Sequence, residues 1–332
     1  MHSHRSLGAS GSVAYRAGIV ERMRIAMRIV VMGAGGVGGY FGAHLARAGH
    51  RVTFVARGAH LDAIRRNGFR LEGSRGDIVL EDVDATDDPA TIGRPADVVL
   101  FAVKLYDTEA AGERIRPVVG PQTMVVNLQN GVDGPDRLAG VLGPEAVLGG
   151  AAYVSALIAE PGVVRYTSDM SRIVFGELDG RVSDRAVAFR DACREAGFEA
   201  EVSPDIRATL WDKFVLLATN AGLTTLLRKP AGEVYTDPEI LDLAAAMMRE
   251  VVAVAAAEGV RTSPDIVDRS IALSKSFPPG MYASMYHDLA RGRRLEAAGL
   301  SGLVARRGRA LGVPVPHHTT VWCALKPYVE GG

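Results

Sequence analysis

The sequence predicts an α/β chain, with an N-terminal Rossmann-type dinucleotide-binding domain followed by an all-helical C-terminal domain. Three observations carry this. A short apolar run leads straight into Gly33-Ala34-Gly35-Gly36-Val37-Gly38, a G-x-G-x-x-G pattern, and then into a helical pattern. Apolar strand-like runs recur up to about residue 203. Beyond Pro204 the patterns are helical throughout. At 332 residues, a prior of roughly 150 residues per domain also gives two domains. The expected division is a leader over 1–26, a nucleotide-binding domain over 27–203 and a helical substrate domain over 204–332.

Composition narrows the function. Hydrophobic residues at 48% and charged residues at 23% fit a globular chain. A net charge of +0 lacks the basic surplus of nucleic-acid binders, so no nucleic-acid partner is expected. Cys193 and Cys323 cannot make a disulfide framework, which points to a reducing, cytoplasmic setting, with both thiols buried on helices. The longest apolar stretch, 241–259, is interrupted by Asp242, Arg249, Glu250 and Glu258, so no membrane span is expected. Five lysines stand against 33 arginines. A lysine that survives such a bias therefore carries more weight.

The elements follow in order. The segment 1–26 has no clear period and is acid-poor, which suits a disordered or spurious leader, with Met27 directly before the first strand. Arg28–Met32 (RIVVM) reads as a strand buried on both faces. In the turn that follows, Gly33 permits the tight bend, Gly35 lets the backbone approach a pyrophosphate, and Gly38 lets helix and strand pack closely. The helix over 37–48 offers its N-terminus to the phosphates. The next strand, Arg51–Val55, ends at Arg57 rather than at an acid, and the next carboxylate is Asp62. A guanidinium there pairs with a 2′-phosphate, so NADPH/NADP+ is expected over NAD(H). Strands at 97–103 and 123–127 end at Lys104 and before Asn130-Gly131. Ligands sit outside the carboxyl ends of parallel strands, which makes Lys104 and Asn130 site candidates. Residues 145–203 add short strands and a helix near 183–196.

The second half opens with a helix over 205–226. Asp237-Pro238 opens another that stops at Gly259, Ser263-Pro264 a third, and helices at 296–311 and 317–328 end the chain. Lys213 stands within an apolar run, and Asn220 and Thr224 return to within about 20° of it at 100° per residue. An ammonium walled by apolar groups has a lowered pKa and suits a general acid; a lysine snorkelling at a helix edge is the plainer alternative. His317-His318 has no partner spacing for a metal, and His287 reads as polar surface. Ser155 and Ser284 lack a His/Asp partner pattern for serine-hydrolase chemistry.

The ordered set GAGGVG, FAVK ending at Lys104, Asn130-Gly131, Trp211-Asp212-Lys213-Phe214, Ser284-Met285-Tyr286-His287-Asp288 and Gly292-Arg293-Arg294-Leu295-Glu296 resembles the ketopantoate reductase (2-dehydropantoate 2-reductase, PanE/ApbA) family over nearly all of residues 27–328. The resemblance implies NADPH-dependent reduction of 2-dehydropantoate to pantoate, in pantothenate and coenzyme A biosynthesis. It implies NADPH bound by Gly33, Ala34, Gly35, Gly36, Val37, Gly38, Arg57, Lys104 and Asn130, with Ser155 near the nicotinamide. It makes Lys213 the proton donor, Glu296 a contact to the ribose and reaction centre that keeps Lys213 charged, and Ser284 a substrate ligand beside Asn130. The expected partner is a small 2-oxo acid, and the expected assembly a monomer or homodimer. Many family members place Asn four and eight residues after the catalytic Lys, where this chain has Leu217 and Ala221. Asn220 is the candidate to compensate. Two alternatives stay open: a reductase of another 2-oxo acid with a more apolar side chain, and a non-catalytic NADP-binding sensor. A Rossmann dehydrogenase of hydroxy acids or sugar phosphates is a third option, but should lack the Lys213, Ser284, Glu296 order.

Overall fold

A computed structural model describes residues 26–331. The expected leader, apart from Ala26, lies outside them. β1 (Arg28–Met32), α1 (Gly36–Arg47) and β2 (Arg51–Val55) form the βαβ unit, and the two strands pair in parallel. α2 (Gly58–Asn67), β3 (Phe69–Gly73), β4 (Ile78–Leu80) and β5 (Asp84–Thr86) follow. Next come β6 (Val98–Phe101), α3 (Thr108–Ile115), β7 (Met124–Asn127) and α4 (Gly134–Leu142). β8 (Val147–Tyr153), β9 (Ala156–Glu160), β10 (Val163–Tyr166), β11 (Arg172–Glu177), α5 (Asp184–Glu195) and β12 (Glu199–Val202) complete this half.

Eight strands form one sheet in the order β12-β11-β8-β7-β6-β1-β2-β5, parallel except where β11 runs against β8. The central strands are apolar on both faces because both are covered. Ile29, Val31, Leu100 and Val126 join one core with Phe41 and Phe189. Their alternates Val30, Val99, Phe101 and Val125 join another with Ala111, Ile115 and Leu138. A second sheet, β4-β3-β10-β9, lies against α1 and leaves β9 as an edge strand.

The second half is helical. Asp205 caps α6 (Ile206–Leu227) by accepting from the Ala208 N–H. α7 (Ala231–Val234) follows, and Asp237 caps α8 (Pro238–Ala257). α9 (Ile266–Lys275), α10 (Ser284–Ala290), α11 (Ser301–Leu311) and α12 (Pro316–Leu325) complete it. α6 packs against α8, α9, α10 and α12, and its Trp211, Phe214 and Val215 share a core with Met247, Val251 and Val304.

Three expectations need correction. The helix expected over 296–311 is a 3₁₀ turn, Glu296–Gly299, and then α11, broken at Leu300 (φ −107, ψ −106). The last helix stops at Leu325, and Pro327 sits in a separate 3₁₀ turn. Cys193 is buried as expected, but Cys323 is exposed. No helix among the described residues is long and apolar enough to cross a membrane.

Candidate active site

The carboxyl ends of β1, β2, β6 and β7 open into one cleft of about 1260 Å3, walled on its far side by the helical half. The glycine turn forms its floor. Gly33 has φ +101, and a Cβ there would stand 2.9 Å from the Ala102 carbonyl oxygen. A Cβ on Gly38 would meet Val31 Cγ1 at 2.9 Å, so this glycine sets the approach of α1 to β1 and does not line the cleft. Gly35 has no atom within 4 Å of its Cβ position, and the N-terminus of α1 carries no side-chain cap. An uncapped helix start beside the open position at Gly35 suits an anion. Ala34, Gly36 and Val37 line the same floor.

Arg57 lies at the N-cap of α2 and holds Asp107 at 3.1 Å. Its other donors bond nothing among the described residues. Ser155 lines the cleft just after β8, its hydroxyl 3.1 Å from that of Thr167.

Lys104 leaves β6 and reaches across the cleft to two carboxylates of the helical half, Asp288 at 2.8 Å and Glu296 at 2.9 Å. Glu296 also accepts the Leu105 N–H at 3.0 Å. Burial alone would lower the Lys104 pKa, but the two carboxylates outweigh it and hold the ammonium well above the usual lysine value. Glu296 therefore holds Lys104, not Lys213 as the sequence led us to expect. The 3₁₀ turn that breaks the expected helix is what brings this carboxylate across the cleft.

Lys213 instead donates to Asn130 Oδ1 at 3.1 Å and lies 5.7 Å from the centre of the Tyr153 ring. Burial brings its pKa down to about 8. The apolar neighbours in the sequence thus have the anticipated effect. Ser284 begins α10 and lines the cleft. Asn220 does not: it is buried, and its Oδ1 accepts the Tyr235 hydroxyl at 3.1 Å. Its side-chain carbonyl is committed inside the helical core, so compensation for Leu217 and Ala221 has no geometric support.

Sequence reasoning missed Gln129, Asp288 and His60. Gln129 is buried and donates to the carbonyls of Val103 (3.1 Å) and Lys104 (3.2 Å), while its Oε1 accepts from Asn127 Nδ2 (2.8 Å). It ties the end of β6 to the end of β7 and so sets Lys104 beside Asn130. A polar residue two positions past the end of a strand was the available signal. His60 joins the glycine turn to the β9–β10 connection. Its Nδ1 accepts the Gly162 N–H at 3.0 Å, so Nε2 carries the proton donated to Ala34 O at 2.8 Å. Burial lowers its pKa, which favours this neutral form. His287, expected on the surface, lines the cleft. No group of three or more His, Cys, Asp or Glu among the described residues is placed to hold a metal ion.

The family profile described as "Ketopantoate reductase PanE/ApbA" matches residues 29–180, and its C-terminal counterpart matches residues 205–329. A 2-dehydropantoate 2-reductase of Mesorhizobium japonicum is 33% identical over 311 residues, 87% of this chain and 94% of that protein. One from Archaeoglobus fulgidus is 33% identical over 291 residues, 88% of this chain and 94% of its own. The crystal structure of a PanE/ApbA family ketopantoate reductase from Ralstonia eutropha is 34% identical, with a TM-score of 0.84 over 91% of this chain and 98% of that one.

Proposed function

The chain belongs to the ketopantoate reductase PanE/ApbA family and is an oxidoreductase; from that premise we propose that it reduces the keto group of a 2-oxo acid with NADPH. 2-Dehydropantoate, the acid named in its relatives, is the reference substrate, and pantoate for pantothenate and coenzyme A synthesis the corresponding product. Residues 27–203 hold the cofactor and 204–332 supply the substrate-binding helices. The observation that carries this reading is the part-buried Lys213 ammonium donating to Asn130, with a pKa brought down to about 8 by burial.

The dinucleotide fits the residues present. The open space before Gly35 and the uncapped start of α1 suit a pyrophosphate, and the free donors of Arg57 suit a 2′-phosphate. Lys104, Asn130, Ser155 and Glu296 complete the binding set. When bound, the nicotinamide supplies a hydride to the keto carbon. Lys213 faces the charge that develops on the carbonyl oxygen, stabilises it and gives it a proton. Two electrons and a proton from the cofactor's hydride, with one proton from Lys213, make the 2-hydroxy acid, and water restores the Lys213 proton. Asn130 occupies one N–H of the ammonium and so orients the other two. Asn130 and Ser284 bind the acid.

The test is NADPH and NADH oxidation by wild type and Lys213→Ala with 2-oxo acids. Wild type should prefer NADPH. Lys213→Ala should keep NADPH binding and lose about 10²- to 10⁴-fold in kcat, the span of general acid catalysis. Near-wild-type turnover in the variant would reject the assignment. Tight NADPH binding with no turnover of any acid would favour a nucleotide sensor.

A further inference from the structure

We propose that His60 is a positioning residue for the cofactor: by holding the Ala34 carbonyl it keeps the glycine turn in the form that accepts a pyrophosphate. This rests on the reading that the cleft takes NADPH.

The turn between β1 and α1 is pinned at its start by backbone alone. The N–H groups of Gly33 and Ala34 both donate to the Val55 carbonyl, at 3.2 and 3.1 Å. The next peptide, from Ala34 to Gly35, leads into α1. Gly35 has φ −79 and ψ −158, and nothing stands within 4 Å of its Cβ position. Without a Cβ and with open space around it, this glycine leaves the peptide free to flip. In a trans peptide the C=O and the following N–H point in opposite directions. A flip would therefore replace the Gly35 N–H by the Ala34 carbonyl oxygen. A helix start attracts an anion through its N–H groups, so the exchange sets an acceptor against a phosphate.

His60 opposes that flip. It stands in the first turn of α2, and its Nε2 donates to Ala34 O at 2.8 Å. The ring is oriented for this task. Nδ1 accepts the Gly162 N–H at 3.0 Å, which leaves the proton on Nε2. Gly162 is itself fixed: its carbonyl accepts the Arg70 N–H at 3.0 Å, and a Cβ on it would stand 3.1 Å from Ala63 Cβ. Phe69 meets the imidazole edge-on, with ring centres 6.3 Å apart. The tip of the β9–β10 hairpin thus sets the tautomer, and the tautomer holds the turn.

The root of the same hairpin is held without His60. The Ser155 N–H donates to Ser168 Oγ at 3.0 Å, and the Thr167 N–H to the Ser155 carbonyl at 2.9 Å. The Ala156 carbonyl lies so close over α1 that a Cβ on Gly36 would run into it. Ser155 therefore keeps its place when His60 is lost, which separates this role from one in the chemical step.

The experiment titrates NADPH by fluorescence against the full chain and measures its displacement by 2′-AMP, which has the adenosine end but no pyrophosphate. His60→Phe keeps a ring against Phe69 and removes both hydrogen bonds. It should weaken NADPH binding about 10- to 100-fold, the worth of two hydrogen bonds, and leave kcat at saturating NADPH within about threefold of wild type. The variant should bind 2′-AMP within about twofold of wild type. His60→Gln, whose amide can donate to the Ala34 carbonyl, should recover most of the lost NADPH affinity. Wild-type NADPH affinity in folded His60→Phe overturns the proposal. So does a Gln variant as weak as the Phe variant. Equal weakening of 2′-AMP and NADPH overturns it too, and makes His60 a direct contact of the adenosine end. Where His60→Phe does not fold, His60→Asn takes its place: it keeps an acceptor for Gly162 but is too short to reach Ala34. It should bind NADPH more weakly than His60→Gln, and equal affinity overturns the proposal. A wild type that does not bind NADPH overturns the cofactor reading and this proposal with it.

Discussion

The Lys213 side chain is part-buried, and burial brings its pKa from 10.5 down to about 8. That poise serves proton donation and opposes folding. The folded chain binds this proton less tightly than the unfolded chain does. The penalty is therefore complete below about pH 8 and fades as pH rises toward the unfolded value. A drop of this size corresponds to about 3 kcal/mol. Replacing the ammonium also leaves Asn130 Oδ1 without its donor, which costs about 1 kcal/mol. Lys213→Met should consequently stabilise the fold by about 2 kcal/mol at pH 7, read as a higher urea midpoint, while turnover is lost. The gain should shrink between pH 8 and 10.5. In the wild type, kcat/KM for the oxo acid should fall above about pH 8 as the donor loses its proton. A flat profile to pH 10, or destabilisation by Lys213→Met at pH 7, would show that the ammonium is not desolvated. The burial of Lys213 was legible because apolar neighbours on one helix are a local signal. The partners of Lys104 were not, since they lie 184 and 192 residues away and no spacing rule connects them.

At the scale of elements, α12 shows what local pattern cannot supply. Its N-cap position is Val315, which has no side-chain acceptor, and Pro316 follows. The acceptor comes from α8: Glu250 takes the N–H groups of His317 and His318, each at 2.9 Å, and His317 Nδ1 at 2.7 Å. The His-His pair that suggested no chemistry is thus a helix start capped by a distant carboxylate. His318 turns inward, fully buried, between Ser301 Oγ and the Met247 carbonyl. Its pKa is lowered to about 4 by burial. Hydrogen bonds to a charged group contribute about 1.5–3 kcal/mol each, and a cap about 1 kcal/mol. Glu250→Ala should therefore cost about 2–4 kcal/mol and lower Tm, with kcat retained below the transition because the cleft is untouched. A Tm within a degree of wild type would mean that water replaces the carboxylate. Elements with strong local signals, β1 through β2 and the Asp205 and Asp237 starts, were readable in advance. The break at Leu300 was not, because the partners of Glu296, Lys104 and the Leu105 N–H, lie far away in the sequence.

The sheet half and the helical half meet at several places, the Arg207–Asp136 ion pair among them, and two of these bear on stability. At one, Ile206 and Leu210 of α6 seat directly on Gly149 of β8, where any Cβ would come within 2.8 Å of Ile206. At the other, one cation of the sheet half faces two carboxylates of the helical half, and Asn130 faces Lys213. Asp288 and Glu296 have side chains 12% and 7% exposed, and Lys104 is 38% exposed. Solvent screens the lysine in part but hardly reaches the acids. Removing the cation should leave two like charges facing each other in a poorly hydrated gap. Breaking a fully buried pair costs about 3–5 kcal/mol; with Lys104 partly exposed, Lys104→Ala should cost about 2–3 kcal/mol in urea unfolding. The sign of the second step is the sharper test. Asp288→Asn alone removes an attractive partner and should destabilise. Added to Lys104→Ala, the same change removes a repulsive neighbour of Glu296, and should return about 1 kcal/mol. Only a carboxylate pair held together by Lys104 predicts that reversal. If Asp288→Asn is equally destabilising in both backgrounds, the two acids do not share the lysine.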